Sequence, residues 1–304
     1  MSVAAIGRRL AAARYHAALA AALPLAGTRS GVPSADGPTA AELALEAEYG
    51  GQIAPALSEL YAHPIAANLP AMMDMTERQI VRSVLDWYEA EPEPVERLAG
   101  VYRTFGRRTF NLGGQMGLNT LGLLAAFSAT DGMVLDAIDA QTAELTDLSP
   151  RAPLSTAVTT AEEIGREVAR RRDEGIEAVD LLPLLSAWVL GRTVVRSALI
   201  AATEGVRMTR WGMVWAFAGN GIRGVRHVGG ADGDARCSGR LCPPLCGVEH
   251  SLGGVFNPMS GIPSGANIPV HGRCRCWWEP LTDGWLKPAL IWTGFALDLL
   301  VNNE

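Results

Sequence analysis

Residues 192–228 read RTVVRSALIAATEGVRMTRWGMVWAFAGNGIRGVRHV, and the texture of the chain changes once within them. A long helix is expected from about Arg192 to Ala218, closed by Gly219-Asn220-Gly221, since Gly and Asn accept the left-handed conformation at which helices stop. Ile222 to Val228 then has strand character, and the residues beyond it are dense in Gly, Pro and Cys. The expected class is α+β, mainly α: a long helical body with a small C-terminal, β-containing, cysteine-rich cap.

Upstream, Leu181 to Leu190 reads as a short apolar helix. Before it, Thr159 and Thr160 precede Glu162 and Glu163 as in a capping box, Ile164 and Val168 form a stripe, and Gly175 is the stop after Arg170 to Arg172. Thr76-Glu-Arg-Gln79 opens a helix to about Glu89, ended by Glu91-Pro-Glu-Pro94. Val95 to Phe127 is expected to be helical with a break at Gly113-Gly114, and residues 39–73 to form one or two short helices broken at Ala-Pro and His-Pro. His63 and the acidic residues near it read as surface groups. Gly27 to Pro38 reads as a linker, and Ile6, Leu10, Ala13 and Ala17 as the stripe of an amphipathic helix. Gly254-Val-Phe256 and Gly272 to Trp278 are further strand candidates. The expected organisation is an N-terminal helical region (1–100), a helical body (101–221), the cap (222–280) and a helical tail (281–304).

Net charge is -6 and the sequence pI about 5.5, which argues against wholesale coating of nucleic acid. Lys287 is the one lysine among 26 basic residues, so arginine carries nearly all the positive charge. The apolar run Leu286 to Val301 is short and interrupted by Lys287, Pro288 and Asp298, and no transmembrane helix is expected.

All five cysteines, Cys237, Cys242, Cys246, Cys274 and Cys276, fall within forty residues, with His271 just ahead of the last two. Cys242-Pro-Pro-Leu-Cys246 is a proline-stiffened pair near knuckle spacing. A strand over 273–279 would put Cys274, Cys276 and Trp278 on one face. A loop pair opposite two thiolates on a strand suits a closed, tetrahedral structural zinc site. Disulfides and unligated thiols are the other readings, although five cysteines cannot all pair within one chain. Nothing marks the metal as catalytic: Glu249-His250 continues Ser-Leu-Gly instead of completing H-E-x-x-H, and the deaminase pattern is absent.

The order of these segments resembles the phage head-morphogenesis proteins, minor head proteins of the Mu F type. Ala198 to Glu204 is similar to the family's helix ending in Thr-Glu, and Val225-Arg-His-Val228 to its short strand. Asp234-Ala-Arg236-Cys237 matches its Asp-x-Arg-Cys step, Gly254-Val-Phe256 its Gly-x-Phe strand, and His271-Gly-Arg-Cys274-Arg-Cys276 its terminal His-x-x-Cys-Arg-Cys. The resemblance covers about residues 110 to 280, most strongly the last eighty. Here Cys242 stands five positions after Cys237, where the family usually has its next ligand two positions on. That insertion leaves either Cys237 or Cys246 to complete the site with Cys242. The favoured ligands are Cys242 and Cys246, which the proline-stiffened loop holds, with Cys274 and Cys276, and Cys237 and His271 are the substitutes.

The resemblance implies a virion component present in few copies, made in the host cytoplasm. It would associate with the portal and with the major capsid or scaffolding protein, and would act in head morphogenesis and in DNA packaging or delivery, without a membrane role. Glu204 and Asp234 lie among arginines, so a charge clamp of Glu204, Asp234, Arg236 and Arg275 is expected to fix the cap on the long helix, against the alternative of a solvated charged face. The same arginines could make a confined contact with packaged DNA. The competing readings are a head maturation protease or another zinc-dependent hydrolase, and a cellular zinc-ribbon adaptor. No G-x-S-x-G elbow or triad pattern supports an enzyme, and His227 and His250 read as surface or core-edge residues.

Overall fold

The computed structural model describes residues 39–128, 132–152, 154–228, 249–251 and 276–281. It is mainly α, with one small antiparallel sheet toward the C-terminus. The elements in chain order are α1 (Ala40–Met72), α2 (Glu77–Ala90), α3 (Glu93–Thr120), α4 (Gly132–Thr146), α5 (Thr156–Asp173), α6 (Ala178–Gly219), β1 (Gly224–Val228), β2 (Glu249–Ser251) and β3 (Trp277–Pro280).

Several helices are longer than the sequence suggests. α1 is one helix of 33 residues that carries Pro55, Pro64 and Pro70 in its interior. A proline removes one backbone donor and can kink a helix without ending it. α3 continues through Gly113-Gly114, and α6 joins the two expected helices across Gly191 into 42 residues. The stops read from sequence hold where φ is positive: Gly175 (79°) follows α5 and Gly221 (78°) follows α6. α2 starts at the expected capping box, with Thr76 and Gln79 exchanging bonds. α5 starts four residues early, because Ser155 accepts from the Val158 amide as N-cap while Thr160 is buried inside the helix. α4 had no sequence signal, and β2 was not anticipated.

Internal contacts divide the chain into two units. Among the described residues, Ala47–Thr104 and Ile138–Ala198 make the first, while 39–46, Phe105–Ala137 and everything from Leu199 make the second. In the first unit α2 lies close against α5. A Cβ at Gly165 would sit 2.9 Å from Val81 Cγ2 and 3.1 Å from the Glu77 carbonyl, so glycine permits this approach. Ile80, Val84, Leu85 and Tyr88 of α2 and Ile164 and Val168 of α5 are buried, and removing these side chains from water stabilises the unit.

In the second unit the end of α3 crosses the end of α6 at glycines. A Cβ at Gly113 would overlap the Thr209 carbonyl, and one at Gly212 the Phe110 carbonyl. Gly117 faces Ala216 Cβ at 2.9 Å in the same way. Gly113-Gly114 is therefore a contact surface and not a break. Met116, Val206, Met213, Val214 and Phe217 continue the packing to Ile222, Val225, Cys276 and Trp278.

The sheet has the order β2-β1-β3 with both pairings antiparallel. Val225 faces His250 and Pro280 across the sheet, and His227 faces Trp278. Alternation sends Val225 and His227 to the buried side. Arg226 points the other way and bridges both neighbours, at 2.8 Å to Glu249 and 3.2 Å to Glu279.

Candidate functional site

Of the ten residues singled out by sequence, the described regions contain two, Cys276 and Glu204. Cys237, Cys242, Cys246, His271, Cys274, Asp234, Arg236 and Arg275 lie outside the described residues. Cys276 immediately precedes β3 and is fully buried, as is Trp278 two residues on, so the two share a face as the strand reading requires. They share an apolar cluster with Val225, Ile222, Phe217 and Met213. Among the described residues no group of three or more His, Cys, Asp or Glu side chains is placed to hold a metal.

His227 is fully buried, not a surface or core-edge residue. Its ring stands edge-on to Trp278 with centroids 5.5 Å apart. It shares the buried, odd-numbered face with Val225, and the sequence disguises it because that face here includes an imidazole. His63 is half-buried against Trp87, and nearby Glu59 is buried and paired with Arg97 at 2.7 Å. These groups too were expected at the surface.

Glu204 is buried and pairs with Arg207 one turn along α6 at 3.0 Å. A second arginine makes the described link between α6 and the cap. Arg210 is 2% exposed, with Nη1 2.9 Å from Glu42 Oε1 and Nε donating to the Cys276 carbonyl at 2.9 Å. Glu42 is itself fixed, since its Oε2 accepts from the Thr39 amide (2.9 Å) and hydroxyl (3.1 Å) at the start of α1. One guanidinium thus joins the first turn of α1, the second half of α6 and the entry to β3, using geometry that a point charge cannot reproduce. Arg210→Lys is expected to cost about 1.5–3 kcal/mol, because a buried carbonyl or carboxylate loses its charged donor. Thermal melts of the full chain check this, and an unchanged midpoint would refute the link.

The densest polar cluster lies in the first unit, and sequence reasoning did not find it. Glu163 on α5 accepts from Tyr61 of α1 and from Arg192 and Arg196 of α6, with Arg192 Nε at 3.0 Å. Arg196 also donates to the Tyr61 hydroxyl (2.9 Å), the Thr160 hydroxyl (2.8 Å) and the Thr156 carbonyl (3.1 Å). Thr156 shares a 2.7 Å bond with Tyr102, and Tyr88 donates to the Leu60 carbonyl.

Burial alone would raise the Glu163 pKa, but the hydrogen bond from Arg192, the charge of Arg196 and the Tyr61 hydroxyl together hold it below the usual carboxylate range. Burial, opposed by Arg196 and reinforced by Glu163, pushes Tyr61 up to about 12. An ionised carboxylate, two guanidinium groups and a protonated phenol satisfy one another here, which ties α1, α5 and α6 together. The signal available in the sequence was the pair Arg192 and Arg196, four residues apart in an otherwise apolar stretch, since charges so placed need a partner.

α6 is long and apolar enough to cross a membrane by length and composition alone. Dividing it at Gly191 concealed this in the sequence reading. No protein-family model, no curated protein and no solved structure matches the chain.

Proposed function

We propose that this chain is a minor head protein of a phage, associated with the portal and acting in head morphogenesis and DNA packaging or delivery without catalysing a reaction. The observation that carries the reading is the pairing of β1 with β3. The Val225-Arg-His-Val228 strand and the strand that follows the Cys-Arg-Cys motif are far apart in sequence, yet they are hydrogen-bonded neighbours. Both are tied to the end of the long helix through Phe217, Trp278 and the Arg210–Cys276 bond. Of the segments that resemble the family, the long helix and the Val225–Val228 strand are described, and they pack with Cys276 and Trp278 in one cluster. A structural zinc held by Cys242, Cys246, Cys274 and Cys276 belongs to the same reading, as a closed four-thiolate staple.

Quantitative mass spectrometry of purified particles from the source tests the assignment. The expected result is the intact chain at a low, fixed ratio to the major capsid protein, and absence from particles would reject a virion role. Metal analysis of reduced, purified protein is expected to give about one zinc per chain for a four-thiolate site.

A further inference from the structure

We propose that this chain pairs with a second copy of itself through the outward face of α6, antiparallel and centred on Gly191. The face is apolar and open. Leu184 and Val195 are 39% and 56% exposed, and Ala187 and Gly191 are exposed beside them. Among the described residues nothing lies within 4 Å of a Cβ built at Gly191. A glycine weakens a helix interior relative to alanine, and this one serves no close approach to another described residue. It does leave a flat place for another backbone to come near.

The occupant follows from the order of side-chain sizes. Leu184, Ala187, Gly191, Val195 and Ala198 stand at -7, -4, 0, +4 and +7 about Gly191. An antiparallel second copy sets Leu184 against Ala198 and Ala187 against Val195, each large side chain opposite a small one, with the two glycines at the axis. Parallel pairing would instead oppose Leu184 to Leu184 and Val195 to Val195. The face closes on itself under a two-fold axis, the commonest symmetry of protein pairs. Its charge agrees, because the charged residues between Leu184 and Ala198 are Arg192 and Arg196, and both are held by Glu163. An uncharged face is matched by an uncharged partner.

Leu184 to Ala198 spans about 21 Å of helix. A contact of that length falls at the small end of the interface range, so dissociation at about 10–100 μM is expected. This inference stands independently of the head-protein reading.

Sedimentation velocity of the full chain under reducing conditions, from about 1 to 200 μM, brackets that range. The expected result is a monomer at the low end and a dimer at the high end. Val195→Glu and Gly191→Leu should each weaken dimerisation at least tenfold while leaving helical circular dichroism unchanged, since both sites are exposed. A monomer at every concentration overturns the proposal, as does a dimer indifferent to both substitutions. Vesicles of phosphatidylcholine and phosphatidylglycerol supply the remaining arm. A monomer that sediments with them and is released by Val195→Glu would assign the face to lipid and reject self-pairing.

Discussion

Gly212→Ala is expected to destabilise the protein by about 3 kcal/mol or more, at the upper end of the cost of overpacking. The new methyl would overlap the Phe110 carbonyl and crowd the Gly114 amide at 2.7 Å. Both obstacles are helix backbone, which cannot rotate aside as a side chain can. Relief requires α3 and α6 to separate, and that opens the Met116, Met213 and Phe217 cluster between them. Gly113→Ala meets the Thr209 carbonyl from the other helix and should cost as much. The internal control is Gly100→Ala, on the same α3, where no described residue lies within 4 Å and helix propensity should raise stability by up to about 1 kcal/mol. Urea denaturation of the three variants gives the comparison. Equal midpoints for Gly212→Ala and Gly100→Ala would mean that the two helices do not meet at these glycines.

The second large effect is expected at Glu163. Glu163→Ala strands Arg196, 9% exposed, among Tyr61, Thr156 and Thr160, and removing one member of a buried pair costs about 3–5 kcal/mol. Arg192 is 42% exposed, and without it Glu163 keeps Arg196 and Tyr61, so Arg192→Ala should cost about 1 kcal/mol or less. Replacing Glu163 and Arg196 together by methionine should cost less than the two single changes added, because no lone charge remains.

The same geometry fixes the pH dependence. The folded pKa of Glu163 lies below its unfolded value, so its contribution is complete above the unfolded pKa and is lost as pH falls through the folded one. Tyr61 acts at the opposite end. Its contribution is complete below its ordinary value of 10.0 and fades as pH rises toward about 12. Glu163→Gln should flatten the acid limb of stability against pH and leave an alkaline limb in place. An acid limb identical to the parent's would move the linkage to other carboxylates.

The class of fold was legible because its signals are local. The capping box at Thr76, the stop at Gly175 and the strand after Gly221 each act within a few residues of where they are written. The prolines of α1 and the glycines at 113, 114 and 191 have the same local meaning in isolation but a different one in context. Tertiary packing carries α1 past three prolines, and a neighbouring backbone makes Gly113 a point of contact. The site was less legible, since its partners are distant in sequence. Glu163 was read as a cap and Arg192 as the start of a helix, and only the fold brings them together. Glu42 and Arg210 were likewise unrecognisable as a pair until α1 and α6 were placed.

The interleaving of the two units has a consequence for how the polypeptide is born. Every described segment of the first unit has left the ribosome once Ala198 has emerged, so that unit can fold during translation. The second unit cannot. Its earliest described buried carboxylate, Glu42, waits for Arg210, and Arg210 waits for the carbonyl of Cys276, which is synthesised 66 residues later. Until then the nascent protein holds the Met213 and Phe217 cluster without the Cys276 and Trp278 side that covers it. Slow codons or a bound chaperone would matter most between residues 210 and 276, where an apolar face is made long before its cover.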